Sequence, residues 1–141
     1  MKKTSLISML PQILSSHKEW FSSKGKKGIF ADLSEEDLRE GNFSGCNLVE
    51  ANLQAADLCF ADFSNADLRG ANLLEAQLKG DKLQNANFEE TDLMWANLEG
   101  ANLENTKLDG AYLQGANLKG RGVKKAQIEL AFIDEDTQLP D

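Results

Sequence analysis

Ala51-Asn52-Leu53-Gln54-Ala55 is followed without interruption by Ala56-Asp57-Leu58-Cys59-Phe60, Ala61-Asp62-Phe63-Ser64-Asn65 and Ala66-Asp67-Leu68-Arg69-Gly70. Each block holds a small residue, an Asn or Asp, a large apolar centre and two variable residues. The period runs on in both directions. Counting in fives from Leu33 to Ile133 gives 21 centres, all Leu, Phe, Val or Ile. With 41% apolar residues in the chain, chance would give that run roughly once in 10⁸ trials, so the period belongs to the fold. Two residues before the centre, 14 of 21 positions are Ala; the others are Glu36, Gly41, Cys46, Asp81, Thr91, Thr106 and Arg121. One residue before it, 14 of 21 are Asn or Asp.

A period of five fits neither a 3.6-residue helix nor a two-residue strand. An α-helix would scatter the Leu column around its surface, and a strand would flip alternate centres outward. The backbone must instead turn a corner every five residues. The centre and the small residue then point inward, and Asn or Asp sits where its side chain can bond nearby backbone. Four sides close one coil, so residues 20 apart stack at the ~4.8 Å strand spacing. About five coils make a rod roughly 24 Å tall.

Ala51-Asn52-Leu53, Ala56-Asp57-Leu58, Ala66-Asp67-Leu68, Ala71-Asn72-Leu73 and Ala101-Asn102-Leu103 resemble the A(D/N)LXX signature of pentapeptide-repeat proteins. That resemblance implies an all-β solenoid, a right-handed quadrilateral β-helix. Its flanks are similar to family features too. His17 to Trp20, with Gly25, Gly28, Ala31 and Leu33, resembles a lead-in before the repeats, and Asp134 to Pro140 resembles a closing tail.

Three segments follow. Residues 1–30 are an N-terminal helical cap and loop, 31–135 the β-helix, and 136–141 a C-terminal capping tail. A solenoid end exposes apolar core and unpaired backbone, so it needs a cap. Leu10, Ile13, Leu14, His17, Trp20 and Phe21 share a helical face, with Leu6, Met9 and Leu10 extending it backward through a kink at Pro11. Ser22 to Gly28 is helix exit and loop. His17 is a packing or capping residue. Glu36 and Arg121 lie in the end coils, where an inward position reaches water. Asp81 lies mid-rod in an inward column. It must tilt out or be hydrogen-bonded, since a bare buried charge is prohibitive. Phe43 and Phe63 stack on successive coils.

The net charge is −8, spread unevenly: +5 over residues 1–30, −11 over 31–135 and −2 over the tail. This acidic rod repels nucleic acid, and no direct nucleic-acid binding is expected. Arg121, Lys124 and Lys125 form one basic corner without an aromatic platform. Met1-Lys2-Lys3 before a short apolar run loosely suggests a secretory leader, but Pro11 and Gln12 interrupt it. No run reaches the ~20 apolar residues of a membrane span. Cys46 points inward and Cys59 outward from different walls. Two free thiols, a reducing compartment and a cytoplasmic location are expected.

Every fourth block shares a wall. Wall 1 is centred on Leu33, Leu53, Leu73, Leu93, Leu113 and Ile133, wall 2 on Leu38 to Leu118, wall 3 on Phe43 to Val123, and wall 4 on Leu48 to Ile128. Wall 1 places Leu74, Met94, Trp95, Tyr112 and Phe132 outward, where the pattern wants polar groups, and it carries six acidic charges. A contiguous apolar patch of these types marks a contact surface. Three occupants remain open: the chain's own termini, a second copy, or another protein.

No catalytic constellation, cofactor loop or metal set is present. The recurrent Asp and Asn are turn residues rather than calcium ligands, and one His with two Cys supplies no metal cluster. The expected function is a non-enzymatic scaffold for protein–protein contact. The alternative comes from the resemblance, since some members of the family mimic duplex DNA, bind type II topoisomerases such as gyrase and protect them from drugs or toxins. Duplex DNA carries about 14 charges over ~24 Å; the repeat nets −11, with six on its most acidic wall.

Overall fold

The computed structural model describes residues 3–140, with side-chain surroundings from Leu6 onward. The chain winds as a square coil of 20 residues. Parallel bridges join Asp32 to Asn52, Asp37 to Asp57, Asn42 to Asp62 and Asn47 to Asp67, and the same step repeats up to Asn97–Asn117. Each wall contributes one bridging residue per coil, because a corner follows two residues later and no long strand can form. From Leu33 to Leu103 each centre's N–H donates to the next coil, as from Leu53 to the Asn72 carbonyl (2.8 Å).

The corners explain the Asn and Asp column. All 14 of these side chains accept a hydrogen bond through Oδ1 from the N–H two residues on. The residue two after each centre from Leu33 to Leu113 then takes positive φ, as at Glu35 (61°), Asn65 (62°) and Trp95 (60°). Gly and Asn recur there because they tolerate that conformation.

The core is the apolar column from Leu33 to Leu118 with its small neighbours, and all 18 of those centres are buried. Phe43 and Phe63 stack, ring centres 4.6 Å apart. Thr91 and Thr106, in the small-residue column, donate to the Leu68 and Leu83 carbonyls (2.6 and 2.7 Å). Asp81 does not tilt out. It is 1% exposed, and its Oδ1 accepts the Ala61 N–H at 2.8 Å while Oδ2 has no partner. Burial pushes this carboxyl up to about 8, so it is mostly protonated at neutral pH.

The column ends earlier than its 21 sequence positions imply. Val123 and Ile128 are half-buried and Ile133 is 45% exposed. The cause is a change of register. Arg121 bridges Asn102, a step of 19, then Phe132 bridges Tyr112 at 20 and Gln138 bridges Asn117 at 21. Arg121 therefore occupies the outward bridging position rather than the inward one, and Ala126 is exposed. The last sides of the coil are rebuilt by a short helix, α2 (Lys125–Ile128), pinned where Gln127 Nε2 donates to the Leu103 and Thr106 carbonyls.

The N-terminal segment is one helix, α1 (Lys3–Ser22), with Pro11 inside it on the exposed side. Leu6, Leu10 and Leu14 join the core. Met9 does not extend the stripe as its spacing suggests. It is 43% exposed, and Ile7 packs instead. Among the described residues no helix is long and apolar enough to cross a membrane. Cys46 and Cys59 are free, and burial pushes both thiols up.

Candidate functional site

Wall 1 is built by the 20-residue repeat itself. Its bridging column runs Asp32, Asn52, Asn72, Asp92, Tyr112, Phe132 from the α1 end to the far end. The column one residue past the centres runs Ser34, Gln54, Leu74, Met94, Gln114, Asp134. The bridging column thus turns from polar to aromatic along the axis, and the second column is apolar only at Leu74 and Met94. Tyr112 and Phe132 stack, ring centres 5.1 Å apart and planes within 15°. Leu74 and Met94 are half-buried. Trp95, Tyr112 and Phe132 are 56%, 42% and 50% exposed, so about half of each ring meets solvent.

Trp95 occupies a positive-φ corner, which aims its ring up the wall onto Gly115 of the next coil. A Cβ at Gly115 would lie 2.4 Å from the indole. Gly115 is therefore part of the patch, and the sequence reading missed it. The available signal was a bulky corner residue with Gly 20 residues later, which Phe60 and Gly80 repeat. Phe60, 61% exposed on wall 2, was missed as well and stands apart from the wall 1 group.

Among the described residues, neither terminus covers the patch. Leu139 and Pro140 border a groove of about 530 Å³ at the far end with Val123, Ile128 and Ile133, and α1 lies at the opposite end. The tail supplies the Gln138 bridge, and Thr137 Oγ1 donates to the Leu113 carbonyl.

The charge pattern distinguishes this wall. All its ionisable residues except Tyr112 are acidic: Asp32, Glu35, Glu75, Asp92, Asp134 and Glu135. The other three walls each mix signs. The Arg–Asp pairs among the described residues lie there, Arg39 with Asp37 and Asp57 on wall 2 and Arg69 with Asp67 on wall 4.

The helical residues singled out from sequence do converge on the first coil. Leu10 and Leu14 are buried, and Ile13, Trp20 and Phe21 are half-buried. His17 is fully buried. The Ala31 N–H donates to its Nδ1 (2.9 Å), so the ring hydrogen is on Nε2, which donates to the Val49 carbonyl (2.8 Å). Its ring stacks on Trp20 and meets Phe30 edge-on. This is a structural clasp, with no solvent access for chemistry. Among the described residues no cluster of three or more His, Cys, Asp or Glu side chains could hold a metal ion.

Residues 36–118 match the family model of the pentapeptide repeat region. HetL from the cyanobacterium Nostoc sp. PCC 7120, a pentapeptide repeat protein involved in heterocyst differentiation regulation, is 43% identical with a TM-score of 0.63. That match covers 64% of this chain but only 38% of HetL. The pentapeptide repeat protein alr5209 of Nostoc PCC 7120 is similar over 86% of this chain and 95% of its own, at 24% identity and a TM-score of 0.65, a likeness of fold. QnrB1, a plasmid-mediated fluoroquinolone resistance protein, is 16% identical over 70% of this chain and 60% of its own. Its TM-score of 0.35 carries no argument. No curated protein matches the chain.

Proposed function

The chain belongs to the pentapeptide repeat family, whose members fold as right-handed quadrilateral β-helices, and from that premise we propose that it is a rigid, non-enzymatic scaffold for protein contact. Wall 1 is the contact surface. One observation carries this reading: three half-exposed aromatic side chains, Trp95, Tyr112 and Phe132, share a wall whose charges are all acidic. Exposed aromatic clusters of this kind are costly in water and are enriched at interfaces. A square solenoid suits the role, because its stacked core holds the side chains of one wall in fixed register. The two free thiols favour a reducing, cytoplasmic setting.

Capture of partners from the native cell extract tests the reading. Wild-type protein should retain a partner, or itself, that Trp95→Ala loses and that Ser44→Ala on wall 3 keeps. Equal retention by all three proteins would sink it.

A DNA-mimic reading fits the charge less well. Wall 3 nets +1 and wall 2 only −2, whereas duplex DNA is evenly charged along its length. A gyrase supercoiling assay tests that reading directly, and no inhibition or protection at micromolar protein would retire it.

A further inference from the structure

Resting on the scaffold reading, we propose that wall 1 takes a second copy of this chain, laid antiparallel along it. The basic loop leading into each copy's first coil would then meet the other copy's acidic aromatic patch. Both halves of that contact are present on one molecule.

The first half is the segment between α1 and the first coil. Lys24, Lys26 and Lys27 are exposed, and Ile29 is 73% exposed beside them. None of these three lysines forms an ion pair among the described residues. Ile29 borders a groove with Phe30, Asp32 and Leu33, so the loop enters at the α1 end of wall 1. The second half is the opposite end of the same wall: Trp95, Tyr112 and Phe132, flanked by Glu75, Asp92, Asp134 and Glu135. An exposed aliphatic side chain with lysines on either side is the complement of aromatic rings bordered by carboxylates. Lysine ammonium groups gain both from the carboxylates and from the ring faces.

The polarity of the wall selects the orientation. The loop's three cations lie at one end, where the wall carries only Asp32 and Glu35, and the other four acids lie with the aromatics toward the other end. Parallel copies would oppose like to like. Antiparallel copies related by a two-fold axis bring loop to patch twice. Because the loop-to-patch span is the same in both copies, the two contacts close together. The result is a closed dimer.

Sedimentation equilibrium on the full chain, over a range of concentration and salt, tests this. A dimer that weakens as salt rises is expected, because exposed charge pairs are screened. Lys24→Glu/Lys26→Glu/Lys27→Glu (loop reversal) and Glu75→Lys/Glu135→Lys (wall reversal) should each weaken it by at least about tenfold. These side chains are exposed and hold no core contact, and circular dichroism verifies that both variants fold. Mixing the two variants is the decisive arm. Neither variant keeps its own loop–patch attraction, since the loop variant opposes acid to acid and the wall variant's patch is neutral. In a mixed pair the basic loop of the wall variant meets the unreversed patch of the loop variant, so an equimolar mixture should associate more tightly than either variant alone.

A wild-type chain that stays monomeric at about 0.5 mM and low salt overturns the proposal, as does a dimer indifferent to loop reversal or a mixture that associates no more tightly than either variant alone. If the chain is monomeric while Trp95→Ala still loses a different protein from extract, the dimer fails and the scaffold reading stands. If Trp95→Ala changes neither association nor capture, both fail.

Discussion

The two ends of this rod meet the same physical problem with different success. Every solenoid end presents apolar side chains and unpaired backbone. At the N-terminal end, α1 lays Leu6, Leu10 and Leu14 on the first coil, and His17 bonds the Ala31 and Val49 backbone. At the other end, the four residues of α2 and the tail leave Val123 and Ile128 half-buried and Ile133, Leu130 and Leu139 exposed. An amphipathic helix can close a square end because its apolar stripe is long enough to cross it. A register change with a one-turn helix satisfies backbone but covers little area. The rod is thus sealed at one end and open at the other.

That contrast can be broken or sharpened by measurement. The largest expected effect belongs to the stack between the ends. Asp81 holds its proton up to about pH 8 when folded, whereas an unfolded Asp releases it near 4. Between those values the native state binds a proton that the unfolded chain has lost. The contribution of Asp81 to stability is therefore full below about pH 4 and is lost as pH rises to about 8, by several kcal/mol in all. Asp81→Ala should flatten that slope and raise stability at pH 8, because the Ala61 N–H keeps the Leu58 carbonyl at 3.0 Å. Urea unfolding at pH 5 and 8 checks this. The flattened variant is also the cleaner background in which to compare the ends.

Next comes the sealed end. His17→Ala leaves the buried Ala31 N–H and Val49 carbonyl without their partner and removes a ring stacked on Trp20. A loss of about 4 kcal/mol is expected, with early amide exchange in the first coil. A loss under about 1 kcal/mol would mean that α1 is only loosely held and the contrast is false.

Gly120 probes the start of the open end. A Cβ there would sit 2.3 Å from the Ala101 carbonyl oxygen. Gly120→Ala should cost about 2 kcal/mol, with faster amide exchange confined to residues beyond 118. Exchange that speeds up along the whole rod would show that the last coil is as strongly coupled as the first.

The smallest effect is expected at Ile133→Ala. Nearly half of this side chain is already in water, so thermal unfolding should shift by under about 1 kcal/mol. A buried Leu14→Ala should cost about 3 kcal/mol. If the two losses are equal, something covers the open end in solution.

Much of this was legible in the residues. The Ala and Leu columns predict the inward positions, and the Asn and Asp column predicts the corner bonds that all 14 of those side chains make. Phe43 and Phe63 stack because 20 residues is one turn. The membership of wall 1 follows from the same counting. Less legible was Met9, which spacing places on the buried face of α1 but which points to solvent; for Asp81 the residues left two outcomes, tilting out or a hydrogen bond, and the bond from the Ala61 N–H is the one made. The 20-residue spacing places Gly115 above Trp95, but that the indole lies over the glycine depends on the side-chain direction at the positive-φ corner, which spacing does not supply.

By itself, the sequence determined the square coil, its 20-residue stacking and the residues that share each wall. These follow from period alone, because a fixed step between corners repeats the same local geometry. Tertiary structure decided where the repeat stops. Val123, Ile128 and Ile133 keep the five-residue spacing, yet the chain shifts register after Leu118 because the contact between coils, from Arg121 to Asn102 and Gln138 to Asn117, sets the step there. Tertiary structure also decided which end is sealed and how far Trp95 stands out, since both depend on packing between residues far apart in the chain.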